Sequence, residues 1–454
     1  MKKLSKRNVI LIISDTLRKD HLGCYGNKKI HTPNINMFAS KSTVFEKFYS
    51  ASFPTIPNRA DLYTGKLTFT YIGWNPMPVN EVILPALFKE SGYSTAAVVD
   101  TPFYLRNGFN YDRGFDCFIE NYGQSAGHDY AVFDREYEED YFAPKTFLTA
   151  AHWLEQYYDK SNPFFLLVDT WDPHEPWDPP RWYTKLYRND YKGEVIEALY
   201  TKVSKEDSGW KEVEIAHDCY CGEISMVDTW FGYLIKKLDT MGLLEDTIII
   251  FTSDHGFYFG EHQIFGKGIM KEAPRERPDN ASWLRSPLYE EIINIPLLIY
   301  SPEEHPKRVE ELVSYVDLMP TILDLADIKK PDSVQGDSFI GAIQGSASFQ
   351  GRDFVISSFP LYNIGATTSI VDAFTRKVTE YLPSTITTKE WSLLYSVEGD
   401  ASELYNLMSD PKQKKNIISN HPDIARDLHQ KYLDVLNSCD VNEVLLKPRR
   451  RITI

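Results

Sequence analysis

Two short, wholly apolar runs each break off at an aspartate, and this pairing constrains the chain more than any other feature. Val9-Ile10-Leu11-Ile12-Ile13 leads into Ser14-Asp15, and Ile248-Ile249-Ile250-Phe251 leads into Thr252-Ser253-Asp254-His255-Gly256. Apolar, β-branched runs without polar alternation read as strands covered on both faces. Thr95–Val99, Phe164–Val168 and Pro296–Ile299 repeat the pattern, and helix-like stretches at Leu84–Glu90, Phe147–Tyr158 and Ile224–Met241 lie between them. Strands alternating with helices predict an α/β architecture around a mostly parallel central sheet. Ligands of such sheets sit beyond the carboxyl ends of the strands, where Asp15 and Asp254 stand.

The texture changes beyond residue 330. Pro331, Gly336, Gly341, Gly345 and Gly351 punctuate short segments, followed by a strand-like Asp353–Ser357 and a helix over Pro422–Asn437. This predicts a smaller C-terminal α+β subdomain, 331–454, packed on a main unit, 1–330. Asp178–Lys211 and Lys271–Leu288 read as insertions, the second a candidate lid. Asp plus Glu number 64 against 49 Lys plus Arg, a net charge of −15, which disfavours gripping nucleic acid through its phosphates. No stretch approaches the roughly 18 uncharged apolar residues of a membrane span. The basic start, Lys2 to Arg7, precedes an apolar run too short for a signal peptide, so the expectation is a cytoplasmic protein with no membrane partner. The five cysteines form no disulfide framework. Cys219 and Cys221 make a lone Cys-x-Cys read as packing, and His21 and His31 read as structural.

Several islands then resemble one family in order along the chain. Asn8 to Arg18 is followed by Gly23-Cys24-Tyr25-Gly26-Asn27 and Thr32-Pro33-Asn34-Ile35, then by Thr55-Ile56-Pro57-Asn58-Arg59 with Thr64-Gly65-Lys66. Asp172-Pro173-His174-Glu175-Pro176, Ser253-Asp254-His255-Gly256, Gly260-Glu261-His262 and Gly266-Lys267 continue the series, which ends at Val316 to Thr321 and Glu403 to Leu407. Together they resemble the sulfatase family of the alkaline phosphatase superfamily. The resemblance implies a sulfatase-type sandwich, a catalytic domain over 1–330 and a metal-dependent ester hydrolase acting on a small-molecule ester.

The residue chemistry at the two strand ends supports a metal site in its own right. Asp15, Asp254 and His255 offer two carboxylates and an imidazole, a mixed oxygen and nitrogen set. It suits one divalent ion of the zinc or manganese kind better than calcium or magnesium. The familiar sulfatase pattern has a second acid after the first; here Thr16 stands in its place. That departure resembles the single-metal phosphonate monoester hydrolases of the superfamily.

Thr55 occupies the position where sulfatases carry a cysteine or serine that is oxidised to formylglycine. Oxidised threonine would be a ketone, which hydrates far less readily than an aldehyde, so the usual gem-diol is out of reach. Coordination to the metal would instead make the Thr55 hydroxyl itself a nucleophile. Its ester must then be cleared by water attacking the central atom, ordinary at phosphorus and harder at sulfur. The sequence reading therefore favours a phosphodiester, phosphate or phosphonate ester. A sulfatase without formylglycine, a phosphotransferase and a catalytically silent anion binder are the alternatives.

Arg59 lies one helical turn from Thr55 and is expected to face the same ligand, holding two ester oxygens. By resemblance, His174 is a leaving-group acid or orienting donor and Lys267 a charge stabiliser. Trp171 and Trp177 flank His174 as candidates for an apolar leaving-group pocket. The Gly-Lys-Trp-His stretch of sulfatases is absent after Thr95–Val99, which leaves Asp100 or Tyr104 to shape the substrate. The oligomeric state is left open, a homo-oligomer included.

Overall fold

The computed structural model describes residues 6–101, 104–105, 108–121, 135–156, 162–272, 282–361, 378–379, 382–397 and 402–454. Its frame is an eight-stranded sheet in the spatial order Lys307–Ser314, Thr43–Tyr49, Leu297–Tyr300, Thr247–Thr252, Asn8–Ser14, Phe164–Thr170, Ser94–Val99 and Cys117–Glu120. Leu297–Tyr300 pairs antiparallel with both neighbours, and the other pairings are parallel. The mostly parallel sheet expected from the apolar runs is thus present, with boundaries shifted by a residue or two.

Alternation along the central strand explains why it carries no polar face. Val9, Leu11 and Ile13 point into one apolar core, while Ile10 and Ile12 point into another on the opposite side. A parallel strand with helices over both faces needs apolar residues at every position. The second core is built on the 31-residue helix Trp210–Thr240, whose buried stripe includes Ala216, Tyr220, Ile224, Val227, Phe231 and Leu234. The helical signal read at Ile224–Met241 is only its second half. The first half starts at the last two residues of the stretch read as an insertion at Asp178–Lys211 and continues past it, where charged residues on the exposed side mask the periodicity.

A four-stranded antiparallel sheet, Phe354–Ser358, Ser384–Thr388, Trp391–Tyr395 and Glu403–Asn406, lies in the C-terminal region with the helix Pro422–Ser438. Leu428, Tyr432 and Leu436 of that helix bury against Ile386, Leu393 and Tyr395 of the sheet. Thr43–Tyr49 and the edge strand Lys307–Ser314 were not legible in the sequence because Glu46, Lys47, Glu310 and Glu311 interrupt their apolar pattern, nor was the four-residue strand Cys117–Glu120 at the other edge. Half of the candidate lid, 273–281, lies outside the described residues. Among the described residues no helix is long and apolar enough to cross a membrane.

Candidate active site

The first strand ends at Ser14, and the Asp15 backbone N–H still donates to the Thr170 carbonyl at 2.9 Å. The adjacent parallel strand ends at Thr252, two residues before Asp254. Parallel neighbours end on the same side, so two stretches of chain some 240 residues apart deliver their acids to one place. Asp15, Asp254 and His255 are fully buried, and one ligand atom from each lies within 4.8 Å of the others.

His255 is oriented by its own neighbour. Its Nδ1 lies 3.2 Å from the Gly256 carbonyl, which can only accept, so the proton is assigned to Nδ1 and the lone pair to Nε2. Nε2 faces Asp254 Oδ2 at 3.3 Å, Thr55 Oγ1 at 3.4 Å and Asp15 Oδ1 at 4.0 Å. An imidazole with its far nitrogen tied to a carbonyl is the arrangement metal-binding histidines adopt. The tie needs glycine at 256, where a Cβ would sit 1.9 Å from the Glu291 carbonyl oxygen.

Thr55 is the first residue of the helix Thr55–Thr64, whose residues are all buried. Thr16 fills the place of the missing second acid with φ of +63°, a conformation rare for a β-branched residue. Three of its hydrogen bonds tie it to the site. Its N–H donates to Asp254 Oδ1 at 3.0 Å, its hydroxyl donates to Asp15 Oδ1 at 2.8 Å, and Lys267 Nζ donates to that hydroxyl at 2.6 Å. Lys267 also lies 3.2 Å from Glu175 Oε2. Thr16 therefore connects Lys267 to the acid cluster, a role its mismatch with the family pattern did not reveal.

Arg59 sits otherwise than expected. Its fully buried guanidinium gives Nε and one terminal nitrogen to Asp169 at 3.0 and 2.9 Å, and lies 3.0 Å from Asp15 Oδ2. Its other nitrogen meets Asp254 Oδ2 and approaches the Thr55 carbonyl at 3.4 Å. The expected pair of ester oxygens is replaced by three carboxylates. Asp169 stands immediately after the apolar run Phe164–Val168, and an acid at that strand end is the signal that could have found it. Thr101 and Tyr104 hydroxyls donate to the same carboxylate at 2.9 and 2.5 Å. Tyr104 thus acts through Asp169, and Asp100 is spent on the Trp171 N–H and on Thr146. Both side chains are buried.

His174 stacks on Trp171, ring centroids 3.8 Å apart, and its Nδ1 lies 2.7 Å from the Glu175 carbonyl. Burial, helped by nearby Lys267 and opposed by Glu175, lowers it to about 4, so it is neutral at pH 7. Glu175 resists its own burial through His174 and Lys267 and falls to about 2. Trp177 is not at a pocket wall; it is buried among Phe257, Phe259 and Phe265.

The acid pair is split by its surroundings. Burial and Asp254 push Asp15 well above the usual carboxylate range despite Arg59 and Lys267. Asp254 overcomes the same burial through His255 and Arg59 and falls well below that range. Asp15 Oδ2 is buried and makes no hydrogen bond, only the ion-pair approach to Arg59. An orphaned carboxylate oxygen beside a second carboxylate and an imidazole lone pair fits a divalent cation of borderline softness.

The sequence matches the family model described as Sulfatase over residues 7–328, and one described as N-sulphoglucosamine sulphohydrolase, C-terminal, over residues 282–438. The chain belongs to the sulfatase family. This hydrolase of the alkaline phosphatase-like superfamily is 26% identical to an arylsulfatase of Clostridium perfringens, over 91% of this chain and 90% of that protein. It is 24% identical to an ulvan-active sulfatase of Formosa agariphila, over 91% of this chain and 77% of that one. Its fold superposes on the crystal structure of a phosphonate monoester hydrolase of Agrobacterium radiobacter with a TM-score of 0.75 at 20% identity, covering 96% and 97% of the two chains. Family members generally bind a divalent metal, and this sulfatase-family chain carries an acidic and histidine cluster of that kind.

Chelation gives a direct check on the cluster. Dialysis against a strong chelator is expected to abolish ester cleavage, and stoichiometric zinc or manganese to restore it. Asp254→Asn should bind that equivalent at least about 10-fold more weakly. Full activity in metal-free protein would remove the cation from the scheme.

Proposed function

We propose that this chain hydrolyses a sulfuric ester without formylglycine, using the Thr55 hydroxyl as nucleophile. The observation that carries the choice of ester is the set of curated relatives, with an arylsulfatase matching along 91% of this chain and 90% of its own length. The grouping of Asp15, Asp254 and His255 around Thr55 supports the chemistry. A divalent cation held by those three residues would lower the pKa of the adjacent hydroxyl.

The chain's own groups account for the rest. Thr55 Oγ forms a bond to sulfur as the bond from sulfur to the leaving oxygen breaks, and the hydroxyl proton ends on the departing alcohol or in solvent. The backbone N–H groups at the start of the Thr55 helix favour the anionic group. Lys267, on the Thr16 side of the cluster, offsets negative charge on the leaving oxygen. His174, neutral with its proton on Nδ1, orients the ester; leaving groups that need no proton are therefore the best first substrates. Water then attacks sulfur in the Thr55 ester, releases sulfate and returns the hydroxyl with one of its protons. Arg59 acts as a positioning residue, holding the carboxylates of Asp15, Asp169 and Asp254 in place.

A second reading, phosphate diester or phosphonate ester hydrolysis, is favoured by one residue. Thr55 cannot release its product by collapsing to an aldehyde, and clearance by water is easier at phosphorus than at sulfur. Parallel assays on an aryl sulfate, a bis-aryl phosphate and an aryl phosphonate separate the two. The sulfate reading expects kcat/KM highest on the aryl sulfate by at least about 10-fold, near 1.4 kcal/mol of transition-state binding. Activity confined to the phosphorus esters would overturn it in favour of the second.

A further inference from the structure

A second group of metal-type ligands lies apart from the acid cluster, on residues the sulfatase resemblance does not use. His21 ends the short turn Lys19–His21 that follows the Asp15 loop, while His217 and Cys221 lie one turn apart on the helix Trp210–Thr240. His21 Nε2 and His217 Nε2 are 2.9 Å apart, and Cys221 Sγ lies 3.8 Å from His217 Nε2. All three ligand atoms lie within 4.8 Å of one another. Tetrahedral zinc with nitrogen ligands near 2.0 Å and sulfur near 2.3 Å would place such atoms about 3.3 to 3.6 Å apart. The observed spacings bracket those values.

The surroundings favour the same assignment. His21 Nδ1 lies 2.8 Å from Asp20 Oδ1, a carboxylate partner that holds the ring and leaves Nε2 with its lone pair, as behind many zinc-bound histidines. Tyr220 and Phe259 wall the cluster, with ring centroids 5.3 Å from His21 and 5.1 Å from His217. Arg18 and Lys412 are the nearby cations. Arg18 is paired with Asp20 and Glu261, and Lys412 lies 3.6 Å from Asp20. Burial pushes the Cys221 thiol up, so an ion bound there would take it as the thiolate and release its proton. Reading Cys221 as a packing cysteine overlooked that it stands four residues from His217, and that the fold brings His21 to both.

We propose that His21, His217 and Cys221 form a second metal site for a zinc-class divalent ion, with an open fourth position. Its place in the fold suggests the work it does. Tyr220, between His217 and Cys221, accepts a hydrogen bond from the Arg18 N–H at 2.9 Å and donates one to the Thr16 carbonyl at 2.8 Å. An ion at the cluster clamps the turn that follows Asp15 onto the long helix.

Cobalt(II) provides the test, on the full chain stripped by chelator and reloaded. Wild type is expected to bind two equivalents and to show a near-ultraviolet thiolate-to-cobalt band with tetrahedral visible absorption. Cys221→Ser should lose the band and one equivalent, and His217→Ala should lose one equivalent, whereas Cys219→Ser should keep both. Asp254→Asn should lose the other equivalent and keep the band, so failure of the catalytic site and failure of this site remain distinct. A plain hydrogen bond between the two histidines predicts no thiolate band in wild type, and that result, or a band surviving Cys221→Ser in folded protein, overturns the proposal.

Discussion

On the proposed mechanism, Thr55→Ala is expected to lower kcat/KM on the best ester by at least about 10³-fold, because the substitution would remove the atom that attacks rather than one that assists. The residue occupies the first turn of a fully buried helix with its hydroxyl 3.4 Å from His255 Nε2. No backbone donor is lost with the side chain, so the unfolding midpoint should stay within a few degrees of wild type. Thr55→Ser keeps the hydroxyl and should retain activity within about 10- to 100-fold, the deficit reflecting a freer rotamer. Rapid quench with a slow-leaving ester should show a mass increase of one sulfuryl or phosphoryl group on the Thr55 peptide, absent in Thr55→Ala. Activity in Thr55→Ala within about 10-fold of wild type would end the nucleophile assignment, and water would then have to attack directly.

The second large effect is on stability. Arg59→Met leaves Asp15, Asp169 and Asp254 buried with their shared guanidinium gone. Removing one partner of a buried ion pair typically costs about 3–5 kcal/mol, since the remaining charge has neither water nor counterion. A deficit of that order should appear in the denaturant midpoint of the metal-free protein. Arg59→Lys should recover only part of it, because an ammonium cannot reproduce the forked contact of Nε and the terminal nitrogen with Asp169. Excess divalent cation should narrow the Arg59→Met deficit without closing it. Asp15 and Asp254 can gain a counter-charge that way, whereas Asp169 cannot share it on the ligand geometry described. A midpoint unchanged in Arg59→Met would mean that the carboxylates simply protonate at little cost, and the structural role given to Arg59 would fall.

Much of the molecule could be read before folding. Five buried strands, the parallel sheet and the acid-bearing strand ends were legible because a strand covered on both faces writes its burial into every residue. The same local logic placed Thr55 at a helix start and Asp254-His255 past a strand end. Where adjacent charged residues interrupt the apolar pattern, as at Thr43–Tyr49 and Lys307–Ser314, no strand was legible, and pairing along one side of the sheet made them strands.

Side-chain partnership was the part that local pattern could not supply. Arg59 one turn from Thr55 suggested a shared ligand, yet its charge is taken by Asp169, on a strand more than a hundred residues later. His21 looked bland because its partners lie on the helix Trp210–Thr240, and Cys221 because it was read against Cys219 and not against His217 one turn before it. Residue type and periodicity determine which segments bury and which polar groups stand at their ends. Which buried charges meet is decided only when parallel strands and the long helix close around them, since low dielectric makes every unmatched charge costly and the packed fold alone selects the match.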